Sequence, residues 1–225
     1  MMKKVIKRTF LSLLVLISIV TVVSCGGDVE EIDMKSNIIN IYLIGGQSNS
    51  VGYGLDTANI IANSDSRFVD GFDNVLYYGD QEYWTTGSRI STEFEPVRLG
   101  LGVDVNRSGA EIGIANEIAD DGEMNAVIKC SWGATHLYPD TKYEISQVQG
   151  TWTSPTYIKK YNLNVISNPG IGEMYRRFER TVKNAIELLI KDGYTPVIKV
   201  CGGCKVKLKC SLPIWVMHTK SYIKH

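Results

Sequence analysis

The feature that most constrains this chain is the run Ile38–Ile44 and its abrupt end. Ile-Ile-Asn-Ile-Tyr-Leu-Ile is almost continuously apolar and rich in β-branched residues. That fits a strand buried on both faces, as in the parallel sheet of an α/β protein. Gly45-Gly46 stops the run, and the small polar residues Gln47, Ser48 and Asn49 stand where the strand must turn. In open α/β sheets ligands bind just beyond the carboxyl ends of the strands. A serine there, backed by glycines and beside free backbone N–H donors, meets the requirements of a nucleophile whose own amide helps hold an oxyanion. The plainer role for the same residue is a turn serine or helix cap.

Three further strand candidates follow at Asn74–Tyr78, Asn125–Ser131 and Thr195–Val200. Ser108-Gly109-Ala110-Glu111 opens a helix in a capping-box pattern. Ile112, Ala115, Ile118 and Ala119 keep to one face of it, and Gly122 closes it. The clearest helix is Gly172–Asp192, with Met174, Phe178, Val182, Ile186 and Leu189 as its apolar stripe and Gly193 as its stop. Gly79–Leu99 and Tyr138–Gly170 are aromatic and turn-rich, and read as long loops shaping a cleft. Trp84 in the first suits either stacking on a sugar ring or packing within the loop. Cys130 reads as a buried strand thiol.

Gly46-Gln47-Ser48-Asn49 directly after a first hydrophobic strand resembles the opening block of the SGNH hydrolases, and within them the sialate O-acetylesterase and carbohydrate esterase family 6 branch. Gly109 and Glu111 match that family's Gly-x-Glu pair, and Lys129–Leu137 resembles its Lys-x-x-x-Gly-Gly-Thr-x-Leu block, with Ala134 replacing the second glycine. The resemblance spans residues 38–198. It implies a three-layer α/β/α fold with a flavodoxin-like parallel sheet, incomplete at the C-terminus. It also implies metal-free hydrolysis of an O-acetyl ester on a carbohydrate or sialic-acid-type substrate, with no cofactor. Ser48 is then the nucleophile, and the amides of Ser48 and Gly109 are oxyanion donors. Gln47, Asn49, Glu111, Gly133, Thr135 and His136 line the cleft. His136 is the only histidine in the body of the chain, but the family supplies no catalytic histidine at that position, so it reads as a rim or structural residue. The alternative is a surface lipoprotein that binds glycans without hydrolysing them.

The 225 residues carry 24 basic and 24 acidic groups. Four basic groups lie in residues 1–24 and six in 199–225, without a single acid in either, so the body holds 14 basic against 24 acidic groups, a formal −10. Such a body does not seek nucleic acid. Residues 1–24 read as a signal segment, with basic Lys3, Lys4, Lys7 and Arg8 before the apolar run Phe10–Val23. Val22-Val23-Ser24-Cys25-Gly26-Gly27 resembles a bacterial lipobox. Lipid on Cys25 would tether an exported domain to a membrane surface through the acidic linker 25–36, and the esterase-like domain occupies 37–198.

From Lys199 the pattern breaks. The family places Trp-x-Gln-Gly-Glu-x-Asp here, and an Asp-x-x-His pair further on. This chain instead reads Cys201-Gly202-Gly203-Cys204-Lys205-Val206-Lys207-Leu208-Lys209-Cys210. A zinc site on Cys201, Cys204, Cys210 and His218, or a disulfide, is one account of it. A one-base frame slip near Lys199 is another: read out of register, the genetic code allows Cys201–Lys207 to encode Trp-Trp-Met-Gln-Gly-Glu. On that reading the genuine C-terminal part, with the catalytic His and Asp, has been replaced in 199–225. Sequencing codons 195–210 tests it.

Overall fold

The computed structural model describes residues 37–61, 66–137, 139 and 150–204. The signal segment, Cys25, the acidic linker and everything after Cys204 lie outside the described residues, and so do the proposed cysteine sites as sets. Among the described residues no helix is long and apolar enough to cross a membrane.

The Ile38 run forms β1 (Ile38–Gly46), and its interior residues are almost all buried. It is flanked on both sides by parallel neighbours, β7 (Met124–Ser131) and β8 (Thr195–Cys204). β3 (Phe72–Tyr83) lies parallel on the far side of β7, and two short antiparallel strands, β4 (Gly87–Ile90) and β5 (Glu95–Val97), pair with β3. The order is β4-β3-β7-β1-β8, a mixed sheet within an α/β protein. A second, two-stranded ladder joins β2 (Leu55–Asp56) to β6 (Arg107–Ser108).

The period of two in a strand sorts side chains to opposite faces. Ile39, Ile41 and Leu43 of β1 join Ala126, Ile128 and Cys130 of β7 in one core cluster, closed by Met174, Phe178, Ala185 and Leu189 of the long helix α6 (Glu173–Lys191). Ile44, Val127, Val75 and Tyr77 face the other way, against Ile112 and Ala115 of α4 (Ala110–Ile118). Shorter helical turns complete the chain: α1 (Ser48–Val51), α2 (Thr57–Ile61), α3 (Arg67–Asp70) and α5 (Pro155–Lys160).

Several sequence expectations need correction. Gly79–Leu99 is not a loop: β3 runs on to Tyr83, turns at Gly87 (φ 79°) and returns as β4. Polar residues dominate there because these strands lie at the solvent edge of the sheet. α4 starts one residue later than expected, with Gly109 rather than Ser108 at its cap. The buried stripe of α6 runs through Thr181 and Ala185, while Val182 and Ile186 flank it half-buried. Small side chains take the central line where the helix backbone lies against the sheet. In 138–170, Trp152 packs edge-to-face on Phe178 at 6.2 Å and covers Gly45, so it belongs to the core rather than a cleft wall.

The boundary set at Lys199 also falls inside a strand. β8 continues to Cys204, and its pairing with β1 slips by one residue: Ile198 pairs with Ile41 and Val200 with Tyr42, leaving Lys199 as the extra residue of a bulge. Val197, Ile198 and Val200 remain exposed on this outer strand. An apolar groove of about 540 Å³ opens between it and α4, lined by Tyr42, Ile44, Ile114, Ile118 and Val200.

Candidate active site

β1 ends level with its neighbours: Gly46 lies beside Ser131 of β7 and Cys204 of β8. The chain leaves β1 for β3, returns to fill the gap with β7, and then crosses to β8, so β1 ends between parallel neighbours on both sides. Crevices form at the carboxyl end of such a strand. Gln47 caps α1 there without a side-chain cap bond, its carbonyl accepting the N–H of Ser50 at 2.7 Å and of Val51 at 3.0 Å. Ser48 is the first residue of α1 and is half-buried; Asn49 is exposed. Among the described residues the N–H groups of Ser48 and Asn49 donate to no backbone acceptor. Gly52 ends the turn with φ 96°, and a Cβ there would sit 2.6 Å from the Gly109 nitrogen. The Ser48 turn therefore lies directly on the start of α4.

A fully buried ion pair supports this contact from below. Lys129 Nζ meets Glu111 Oε2 at 2.7 Å, with both side chains wholly inaccessible. Lys129 also donates to the carbonyls of Val51 (3.1 Å) and Leu101 (3.2 Å). The other Glu111 oxygen accepts the Gly109 N–H at 2.6 Å. This corrects two expectations. The Ser108 hydroxyl accepts from Gly100 N–H at 3.1 Å instead of completing a capping box. The Gly109 amide is committed to Glu111, so it is not an available oxyanion donor. The Ser50 and Ser131 hydroxyls form a further buried hydrogen bond between α1 and β7.

After β7 the chain passes over the same edge. Gly133 is buried, and its N–H donates to Glu82 Oε2 at 2.8 Å. Ala134, standing where the resemblance has glycine, takes φ 52°. That left-handed conformation is the one glycine adopts without strain. Thr135 is buried, its hydroxyl donating to the Trp132 carbonyl at 2.9 Å and accepting from the Trp152 indole at 3.0 Å. His136 is half-buried and bridged to Thr151, with its N–H on the Gly150 carbonyl and its carbonyl taking the Trp152 N–H at 2.7 Å. Trp132 lies under the Arg177 guanidinium at 4.0 Å and donates to Asp80 at 3.2 Å. Burial raises the Asp80 carboxyl despite the Arg177 charge, and burial pushes the Cys130 thiol up to about 12, which leaves it inert.

The third contribution comes from the end of β3. Tyr53, just past α1, turns its hydroxyl toward the same point above Gly133 as Glu82 Oε2, and its phenol is pushed up to about 12 by burial first and by Glu82 second. Its ring meets Trp84 edge-to-face at 5.4 Å. Sequence reasoning assigned no role to Lys129, Glu82 or Tyr53. Lys129 entered there only as the first residue of the Lys129–Leu137 block, and its place between the apolar residues 126–128 and Cys130 was itself a sign of a buried acid partner. Among the described residues no group of three or more His, Cys, Asp or Glu is arranged to hold a metal.

No family model, no curated protein and no solved structure matches this chain.

Proposed function

We propose that the chain is the N-terminal part of a three-layer α/β/α, SGNH-type carbohydrate O-acetyl esterase, anchored after export through lipid on Cys25. One observation carries this reading. Ser48 opens a helical turn at the carboxyl end of β1, a strand with parallel neighbours on both sides, and the N–H groups of Ser48 and Asn49 donate to no backbone acceptor among the described residues. The parallel strands run β3-β7-β1-β8 with helices against both faces of the sheet, which supports an α/β layering, although β3 lies outside β7 instead of next to β1 as a flavodoxin-like order would have it.

In this reading Ser48 Oγ attacks the ester carbonyl, a histidine takes its proton, and the tetrahedral oxygen gathers charge at the Ser48 amide. The alkoxide of the sugar leaves, taking the proton back, and water then releases acetate from Ser48. Glu111 and Lys129 serve by holding the turn in place. The family resemblance assigns His136 no catalytic role, so the histidine is expected from the C-terminal part replaced after Lys199. The present chain should then release acetate from an acetylated oligosaccharide no faster than its Ser48→Ala variant. A gene with the frame restored should hydrolyse, and Ser48→Ala should cost that protein on the order of 10⁴-fold or more. A frame-restored protein that hydrolyses equally well without Ser48 would sink the proposal. One that binds acetylated glycans without ever releasing acetate would establish the binding lipoprotein instead.

A further inference from the structure

The connection from Thr151 to α6 holds apolar side chains out in solvent on a braced backbone. Tyr157 lies in α5 and Tyr161 caps its end, their rings tilted together with centroids 4.4 Å apart. They are 39% and 52% exposed, and Ile166, a few residues on, is 92% exposed. Hydrogen bonds fix the backbone that presents this isoleucine. Asn164 Oδ1 accepts the N–H groups of Ile166 and Ser167, each at 3.1 Å. Arg176 of α6 donates to the carbonyls of Pro169 at 2.7 Å and Ile171 at 3.0 Å. Tyr161 and Ile166 are joined by a stretch that reaches at most about 18 Å, so all three side chains belong to one small region of the surface. Between Ile145 and Gly172 the only charged side chains are Lys159 and Lys160, in a body of formal charge −10. Both lysines are exposed, and neither forms an ion pair among the described residues. Lys160 lies over the Tyr161 ring at 5.0 Å.

We infer that this segment is a docking surface for an anionic phospholipid bilayer, entered by Ile166, Tyr157 and Tyr161 and flanked by Lys159 and Lys160. Tyrosine joins an apolar ring to a polar tip, which suits it to the level of the lipid headgroups. Lysine lays its stem along apolar surface and keeps its ammonium among the phosphates. Near an anionic leaflet each lysine strengthens binding about fivefold. The acidic remainder of the body is repelled by the same leaflet, which turns the acid-free segment toward it. A nucleic acid would pair with the lysines but leave Ile166 in water; a bilayer takes both. The inference rests on the reading of Cys25 as a lipid anchor only for the nearness of a bilayer.

The test is hydrogen exchange read by mass spectrometry on the full chain carrying Cys25→Ser. It is mixed with vesicles of phosphatidylcholine alone, or of a three-to-one mixture with phosphatidylglycerol. Exchange in residues 157–167 should slow about tenfold or more on the mixed vesicles and stay unchanged on phosphatidylcholine. Attachment through any other part of the chain leaves this segment's rate alone, so the readout is local. Lys159→Gln/Lys160→Gln and, separately, Tyr161→Ser/Ile166→Ser should each return the rate to that in buffer. Far-UV circular dichroism verifies that these surface variants fold. No slowing, equal slowing on both vesicles, or slowing that survives Tyr161→Ser/Ile166→Ser would each overturn the inference. Slowing that rises with protein concentration in the absence of lipid would overturn it too, in favour of a contact between copies. Acylation of Cys25 is read separately, by incorporation of labelled palmitate into the unsubstituted chain in cells. Label without protection overturns the docking surface alone; protection without label overturns the anchor alone.

Discussion

Ala134 holds a left-handed backbone, φ 52°, that costs a residue with a Cβ roughly 1–2 kcal/mol. Glycine relieves that cost but loses about 0.4–1 kcal/mol through its freer unfolded chain. Ala134→Gly should therefore stabilise the fold by about 0.5–1 kcal/mol, read as a raised urea midpoint at unchanged slope. The buried Lys129–Glu111 pair behaves in the opposite sense. Removing one partner strands the other charge without solvent, so Lys129→Met alone should cost about 3–5 kcal/mol. In Lys129→Met/Glu111→Gln the amide still accepts the Gly109 N–H and carries no charge, so most of that loss should be recovered. The four urea curves of the double-mutant cycle check it; a double variant as unstable as the sum of the singles would rule out the ion pair as the cause. Ser48 was legible because an apolar run, two glycines and three small polar residues specify a strand end by local chemistry alone. Lys129 was not, since its partner lies on another element and no periodicity names it. Glu82 and Tyr53 were missed for the same reason: they meet only after β1, β3 and β7 stand in register.

At the scale of elements, β1, β7 and the long helix were readable because their apolar patterns extend over whole segments. The hairpin of β3 and β4 was not, since edge strands with one wet face lose the hydrophobic signal that marks a central strand. The α6 stripe was found but centred one row off, because Thr181 and Ala185 are chosen for size rather than hydropathy. At the amino end of that helix, Glu173 bonds Arg176 at 2.9 Å and Arg180 at 3.0 Å. Burial raises its carboxyl, but the hydrogen bonds from Arg180 and Arg176 outweigh this and hold it below the usual carboxylate range. A depressed carboxyl contributes stability above its unfolded pKa and loses it as pH falls through the folded value. Glu173→Gln should therefore lower the unfolding midpoint at neutral pH and make no difference at the acid end of a pH series. Parallel curves displaced equally at both ends would contradict that origin.

At the scale of the molecule, β8 is the weak border. Among the described residues it stands last in the sheet, with Val197, Ile198 and Val200 at 36%, 47% and 52% exposure. Unpaired strand edges with apolar side chains invite pairing between chains. Val200→Lys should raise the protein concentration at which light scattering reports association, while changing the unfolding free energy from urea curves by no more than about 0.5 kcal/mol. The central position of β1 has its own consequence during synthesis. One flank of this strand is satisfied by residues 124–131, but the other waits for residues 195–204. At roughly 5–20 residues per second on the ribosome, that second partner is made about 8–30 s after the first strand. Through that interval the nascent polypeptide carries its serine turn beside a half-open seam, and any change to the final strand decides how the seam closes.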